Sequence, residues 1–462
     1  MKREKTKIEF VREQDAPILP PPPSEAGVTG WLWQNVFMSM SNYSSVRASI
    51  GSLSVILLTI FLIYFGFGQI FSFFDFAILS AVWEDPEGRK REVCWTVEQG
   101  GVQPSGWHGA CWPYLIAKLK FVTYGAYPSE QLWRVNSVLV VGALGALWLM
   151  IERMPYRRYA GLFMITIFPL LSLILLTGGH SETSMLSVST LLFIGLALLT
   201  LARLSLRGFL GKQLQNISKS FSFIGWGVVI WAVVKGVLAT DFQLEPVDTR
   251  DWGGILVTLV VAVAGIVASL PLGVVLALGR RSSMPVARLV CTLFIEFWRA
   301  IPLISVLFMA SVMLPLFLPQ GANFDNLLRA LIGVTLFSAA YMAEVIRGGL
   351  QAIDKGQYEA AQSVGLSYWQ SMRHIILPQA LTHVIPGIIN TFIGIFKDTT
   401  LVSIVGIFDL LGAGQATLAD ASWSTPVQSL TIYLYVALVF FFCCFGMSRY
   451  SLYLERKLSK SR

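Results

Sequence analysis

Several charged residues stand where charge is costly. Glu296 and Arg299 are three residues apart, as are Glu344 and Arg347, and Lys397, Asp398 and Thr399 are consecutive. All lie in or beside long apolar runs. A charge inside a bilayer costs about 3 kcal/mol on insertion scales, so such groups pair with one another or line a wet cavity. The three-residue spacing places each Glu/Arg pair on one helical face. Two roles remain open: ion pairing that fixes helix packing or gating, or contact with a charged solute. Glu296, Arg299 and Arg347 fall near the ends of their runs, which favours the first role. Asp398 and Thr399 lie deeper, which makes them the better solute-path candidates. Cys94 and Cys111 form a second pairing, seventeen residues apart in Gly/Pro-rich sequence; they could close a loop in an oxidising compartment or remain two thiols. The remaining cysteines, Cys291, Cys443 and Cys444, have no C-x-x-C or histidine partner. The four histidines, 108, 180, 374 and 383, also lack metal-ligand spacing, so no metal site is expected. No phosphate-binding G-x-x-x-x-G-K-[ST] loop, H-E-x-x-H or G-x-S-x-G is present. The chain is therefore not expected to be an enzyme or to carry a cofactor of its own.

The elements that must position these residues are membrane spans. The 462 residues are 55% apolar and only 13% charged, about half the charge of an ordinary soluble protein. That excludes a disordered chain and a soluble nucleic-acid binder. The fold class is all-α and polytopic. A span needs roughly 20 apolar residues, and ten segments qualify: 52–74, 134–151, 160–176, 183–202, 222–240, 254–279, 289–318, 327–346, 385–405 and 428–447. The longest, 289–318, contains Pro302 and Pro315 and is expected to be kinked, or a helix plus an interfacial piece. Placing the N-terminus inside puts twenty-four Lys and Arg on the inner segments and six on the outer ones. The net charge of +8 is then the positive-inside bias, with N-terminus and C-terminus both cytoplasmic. Residues 1–49 read as a cytoplasmic leader, with a Pro20 to Pro23 run and an interfacial stretch from Trp31 to Met40. Residues 50–250 form an N-terminal membrane region with a large outer loop at 75–133. Residues 252–453 form the second membrane domain, and 454–462 a cytoplasmic tail. The segment 409–423 reads as a polar outer loop or a plain turn, and Lys235 as a snorkelling side chain.

The inner segment after span 8 is unlike a linker. Asp354 with Gln357 has capping-box spacing and Gly365 suits a left-handed helix end, which predicts a short helix over 355–364. Ser367 with Gln370 repeats the cap and opens a second helix, expected to stop before Pro378. Two capped helices on a glycine turn make a rigid body beneath the membrane.

Glu359-Ala360-Ala361, Gly365 and Ile375-Ile376-Leu377-Pro378 match the pattern E-A-A-x3-G-x9-I-x-L-P. In this the chain resembles the permease subunits of binding-protein-dependent ABC importers. Phe294-Ile295-Glu296-Phe297-Trp298-Arg299, Ala343-Glu344-Val345-Ile346-Arg347-Gly348-Gly349 and Lys397-Asp398-Thr399-Thr400-Leu401 look like the polar amino-acid branch. The added N-terminal spans and Ala110-Cys111-Trp112-Pro113 resemble the long subunit of general L-amino-acid importers. The resemblance implies a five-helix type I permease core over about 252–453 in a bacterial inner (plasma) membrane. It also implies two ATPase subunits below, a periplasmic amino-acid-binding protein above and a second, related but different permease chain alongside. The substrate would be an L-amino acid. Residues Glu359, Ala360, Ala361, Gly365, Leu377 and Pro378 would couple to the ATPase. A secondary amino-acid transporter is the competing reading; it would need no such segment.

Overall fold

The computed structural model describes residues 46–179, 185–206, 212–238, 240, 242–317 and 325–460. The proline run of the leader and the Trp31 to Met40 stretch lie outside the described residues. Among the described residues the chain is helical, with only isolated β-bridges. It forms two compact units, residues 1–81 and 82–462. The first contains α1 (Val46–Phe74), which exposes Leu57, Leu58, Ile60, Leu62 and Ile63 around all its faces. A helix apolar all round suits hydrocarbon rather than water. A π turn at Asp75–Leu79 ends it, closed by the Ser80 amide donating to the Asp75 carbonyl at 2.8 Å.

The second unit begins with a cap of two 3₁₀ turns, Lys90–Cys94 and Val97–Gln99, and α2 (Trp112–Tyr124). The outer loop expected over 75–133 is therefore partly a packed helix. Cys94 and Cys111 are joined in a buried disulfide with Cα atoms 5.9 Å apart. Four apolar helices follow: α3 (Leu132–Met150), α4 (Arg157–Thr177), α5 (Met185–Leu206) and α6 (Lys212–Leu238). Lys235 lies 5.9 Å over the Trp231 ring.

The remaining core runs α7 (Gly254–Arg280), α8 (Pro285–Ala300), α9 (Leu303–Phe308), α10 (Asn326–Gln351), α11 (Lys355–Ser363), α12 (Tyr368–Ser371), α13 (Ile385–Asp398), α14 (Leu410–Thr417) and α15 (Gln428–Lys460). Gly254 opens α7 at φ +62°, where an added Cβ would stand 1.9 Å from the Val122 carbonyl oxygen. Only glycine lets α2 approach the α7 start this closely. Seven helices among the described residues are long and apolar enough to cross a membrane, and α8 with the Leu303–Phe317 stretch makes a bent pair, a broken span or a re-entrant loop. Ser189–Ala202 and Ser222–Val237 are shorter apolar helices.

The two prolines of the 289–318 run act differently. Ile301 and Pro302 are extended, and the two halves meet at 105°, because the residue before proline avoids the helical region. Pro315, in contrast, lies inside a helix, two residues beyond a π turn at Met309–Met313. Pro378 repeats the arrangement after a π turn at Met372–Ile376, so the helix that starts at α12 continues through Leu377–His383. It does not stop before Pro378 as the sequence suggests. Proline lacks an N–H and clashes with the carbonyl four residues back. The wider π turn resets the register so that a new α segment starts at the ring. At Pro315 the carbonyl four residues back, that of Ser311, accepts from Arg329 instead. The stretch 409–423 is likewise no polar loop: α14 is packed, with Asp409, Gly412 and Gly414 buried. Asp409 caps it, accepting from the Gly412 and Leu411 amides at 2.9 and 3.1 Å.

Candidate functional site

The two ends of the 82–462 unit carry different machinery. At one end α10 runs into α11 through Ala352, Ile353 and Asp354 alone. Asp354 caps α11 by accepting from the Gly356 amide at 2.7 Å. Gln357 does not complete the expected capping box; its side-chain oxygen accepts from Gln379 at 3.1 Å, tying the two short helices together. The turn between them is a full Schellman motif. Gly365 has φ +79° and its amide donates to Gln362 at 2.9 Å, while Leu366 donates to Ala361 at 3.1 Å. Ser367 and Gln370 form the reciprocal capping box that opens α12.

The hairpin has an inner and an outer face. Ala361, Met372, Ile376 and Ala380 are buried, the last three with Ala277, Met342, Ile346 and Leu350 of α7 and α10. Glu359, Ala360, Gly365 and Pro378 are exposed and Leu377 half-buried. Val364, Tyr368 and Trp369 are also exposed, at 79%, 51% and 69%, an apolar tip that nothing among the described residues covers.

Just above the hairpin the intramembrane charges converge. Glu344 is the hub: it accepts from Arg347 at 2.9 Å and from Arg280, and faces Arg299 at 3.9 Å. Arg280 also donates to Glu296 at 2.8 Å. Glu344 and Arg347 thus pair as their spacing suggests. Glu296 turns instead to Arg280 on α7, and Arg299 lies between Glu344 and the Tyr341 ring, 5.6 Å from its centroid. Arg280-Arg281-Ser282 also looks like the polar amino-acid branch, but no carboxylate partner for Arg280 is legible in the sequence, because it reads as one of two basic residues ending a span. The network ties α7, α8 and α10 together where α10 turns into the hairpin. The next residue, Arg281, lies 5.9 Å over the Tyr358 ring of α11, and Tyr358 donates to the Leu350 carbonyl at 3.4 Å. Arg281 thus joins α11 to the residue that follows Arg280 of the hub.

Lys397, Asp398 and Thr399 are not part of this network. Lys397 is exposed and Asp398 half-buried beside it. Thr399 is 1% exposed, its hydroxyl donating to the Phe396 carbonyl at 2.8 Å. They close α13 and start a 3₁₀ turn, Thr399–Val405, whose Val402 packs with Leu303 and Val306 of α9.

At the opposite end the disulfide cap sits on the segment around α14. Trp95 donates to the Ser424 carbonyl at 3.0 Å, the Cys111 amide to Thr431 at 3.0 Å, and Lys118 pairs with Asp420. Hydrogen bonding to Lys118, then to Ser422, holds the Asp420 carboxyl well below the usual carboxylate range. Burial pushes Asp409 upward, against the pull of its backbone donors. No group of three or more His, Cys, Asp or Glu able to hold a metal occurs among the described residues.

Residues 269–460 match the family model of the binding-protein-dependent transport system inner membrane component. The chain is 38% identical over 433 residues to the inner membrane amino-acid ABC transporter permease protein YhdY of Escherichia coli K12, covering 94% of this chain and 93% of that protein. It is 38% identical over 459 residues to the glutamate/glutamine/aspartate/asparagine transport system permease protein BztC of Rhodobacter capsulatus, covering 98% of each. A solved amino acid ABC transporter with histidines aligns at 30% identity and a TM-score of 0.39, over 44% of this chain and 92% of that one.

Proposed function

The chain belongs to the binding-protein-dependent inner membrane components of amino-acid ABC transporters, and from that premise we propose how it works. It is a permease subunit that imports L-amino acids by alternating access. ATP is hydrolysed on a separate ATPase dimer, which pushes on the 354–383 hairpin. The observation that carries this is the hairpin itself: two capped helices on a Schellman turn, fixed inwardly to α7 and α10 and bare at Val364, Tyr368 and Trp369. A rigid body with a fixed back and an uncovered apolar tip is what a partner needs in order to transmit force. The force reaches Arg281 through Tyr358 and the Glu344 hub through α10, so the hub is the place where rocking of α7, α8 and α10 would be gated.

The hairpin end and both termini lie in the cytoplasm, and the disulfide cap on the periplasmic side, in keeping with the positive-inside bias. A periplasmic amino-acid-binding protein delivers substrate to the cap end, and a second, related permease chain completes the pathway. Glu359, Ala360, Ala361, Gly365, Leu377 and Pro378 serve coupling. Glu296, Arg299, Glu344 and Arg347 serve gating, and Lys397, Asp398 and Thr399 line or border the substrate path.

Cross-linking tests the assignment. A cysteine at the exposed Ala360 is expected to cross-link to the ATPase in the assembled complex, and one at the buried Ala361 is not. Equal cross-linking at both positions, or at neither, would refute the docking face.

A further inference from the structure

A cleft of about 420 Å³ opens between the ends of α7 and α10 and one side of α11. Its walls are of two kinds. Leu350 and Ile353 are apolar, while Arg281, Lys355, Gln351 and Gln362 bring positive charge and hydrogen-bond donors. Glu359 is the only carboxylate among the lining residues. Among the described residues neither Arg281 nor Lys355 forms an ion pair. Arg281 donates to the Tyr358 hydroxyl at 3.4 Å, a long bond that leaves most of its donors unused. Two unpaired cations beside an apolar wall suit an amphiphile with an anionic head.

Position narrows the choice. Arg280 is the last residue of a helix of membrane length, so Arg281 stands where the apolar span ends and phosphate headgroups begin. Lys355, Glu359 and Gln362 occupy one side of α11 at helical spacing, whereas Ala360 and Val364 lie on the other. An occupant of the cleft would touch Glu359 but leave the exposed Ala360 and Val364 clear. We infer that the cleft binds the phosphate headgroup of an anionic phospholipid through Arg281 and Lys355, bracing the coupling hairpin against the ends of α7 and α10.

Native mass spectrometry of the intact complex, titrated with phosphatidylglycerol or phosphatidylcholine, tests this without any turnover, so the result stands apart from the importer reading. The wild-type complex is expected to retain phosphatidylglycerol in preference to phosphatidylcholine. The double variant Arg281→Gln/Lys355→Gln is expected to lose that retention by about thirtyfold, the change two basic contacts to a lipid surface predict. The charge-preserving pair Arg281→Lys/Lys355→Arg should restore it, which separates loss of the site from a misfolded hairpin. Undiminished retention in the neutral variant would overturn the assignment. So would displacement of the lipid by millimolar inorganic phosphate, which would make the site one for a free anion.

Discussion

Replacing Gly365 tests the coupling hairpin at its tightest point. The residue holds φ +79°, and a Cβ built there meets nothing within 4 Å among the described residues. A side chain therefore adds no internal clash; it adds only the cost of the left-handed conformation, about 1–2 kcal/mol for alanine and less for asparagine, which tolerates that region. That is too little to unfold the membrane bundle. It is enough to shift the turn, because the Gly365 and Leu366 amides hold the end of α11 through only two hydrogen bonds. Gly365→Asn, Gly365→Ala and Gly365→Val should then lose coupling in that order, valine most because a β-branched residue is a genuine outlier at positive φ. The assay is amino-acid uptake and substrate-stimulated ATP hydrolysis by the assembled importer in proteoliposomes, expressed as solute moved per ATP. Wild-type coupling in the valine variant, or asparagine as damaging as valine, would refute the reasoning.

Further tests address the hub and the cap. Glu344→Gln leaves Arg280, Arg299 and Arg347 without their shared carboxylate; loss of each charged hydrogen bond should cost about 1.5–3 kcal/mol, seen as a lower unfolding temperature of the purified subunit, and no change would contradict the hub. Cys94→Ser removes a bridge that closes a seventeen-residue loop, worth about 3 kcal/mol, and should render the cap sensitive to protease while the wild type resists. Because the Asp420 carboxyl is held low by Lys118 and Ser422, the stability it contributes is present above the usual carboxylate value near 4 and fades only as pH falls further. Asp420→Asn should therefore flatten the acid limb of a stability–pH curve and leave the region above pH 5 unaltered in slope; an equal acid limb in both proteins would sink the pairing. Asp409 is shifted the other way by burial, so its effect on stability is lost as pH rises through its raised value, and Asp409→Asn should remove that loss.

What could be read from sequence was local. The capping box at Ser367 and the turn at Gly365 depend on residues within a few positions of one another and fold as their spacing suggests, while Asp354 caps its helix without the return bond from Gln357. Helix continuation through Pro378 was hidden because it depends on a π turn, which leaves no mark in the periodicity. The hub was half visible: Glu344 and Arg347 share a helix, but Arg280 arrives from 64 residues away. The cap was the least visible. Its contacts to Asp420, Ala421 and Thr431 span 302 to 330 residues, and nothing in the pattern of 75–133 tells which surface it will cover. The same distance effect made 409–423 look like a loop, since the polar Asp409 is spent on capping a buried helix.

The most direct measurement is uptake of radiolabelled L-amino acid into proteoliposomes that contain this chain and its permease and binding-protein partners, with and without the co-purified ATPase. The account predicts ATP-dependent accumulation with the ATPase present and none without it. Sustained uptake in the absence of the ATPase would contradict the claim that the 354–383 hairpin drives transport with work done on another chain.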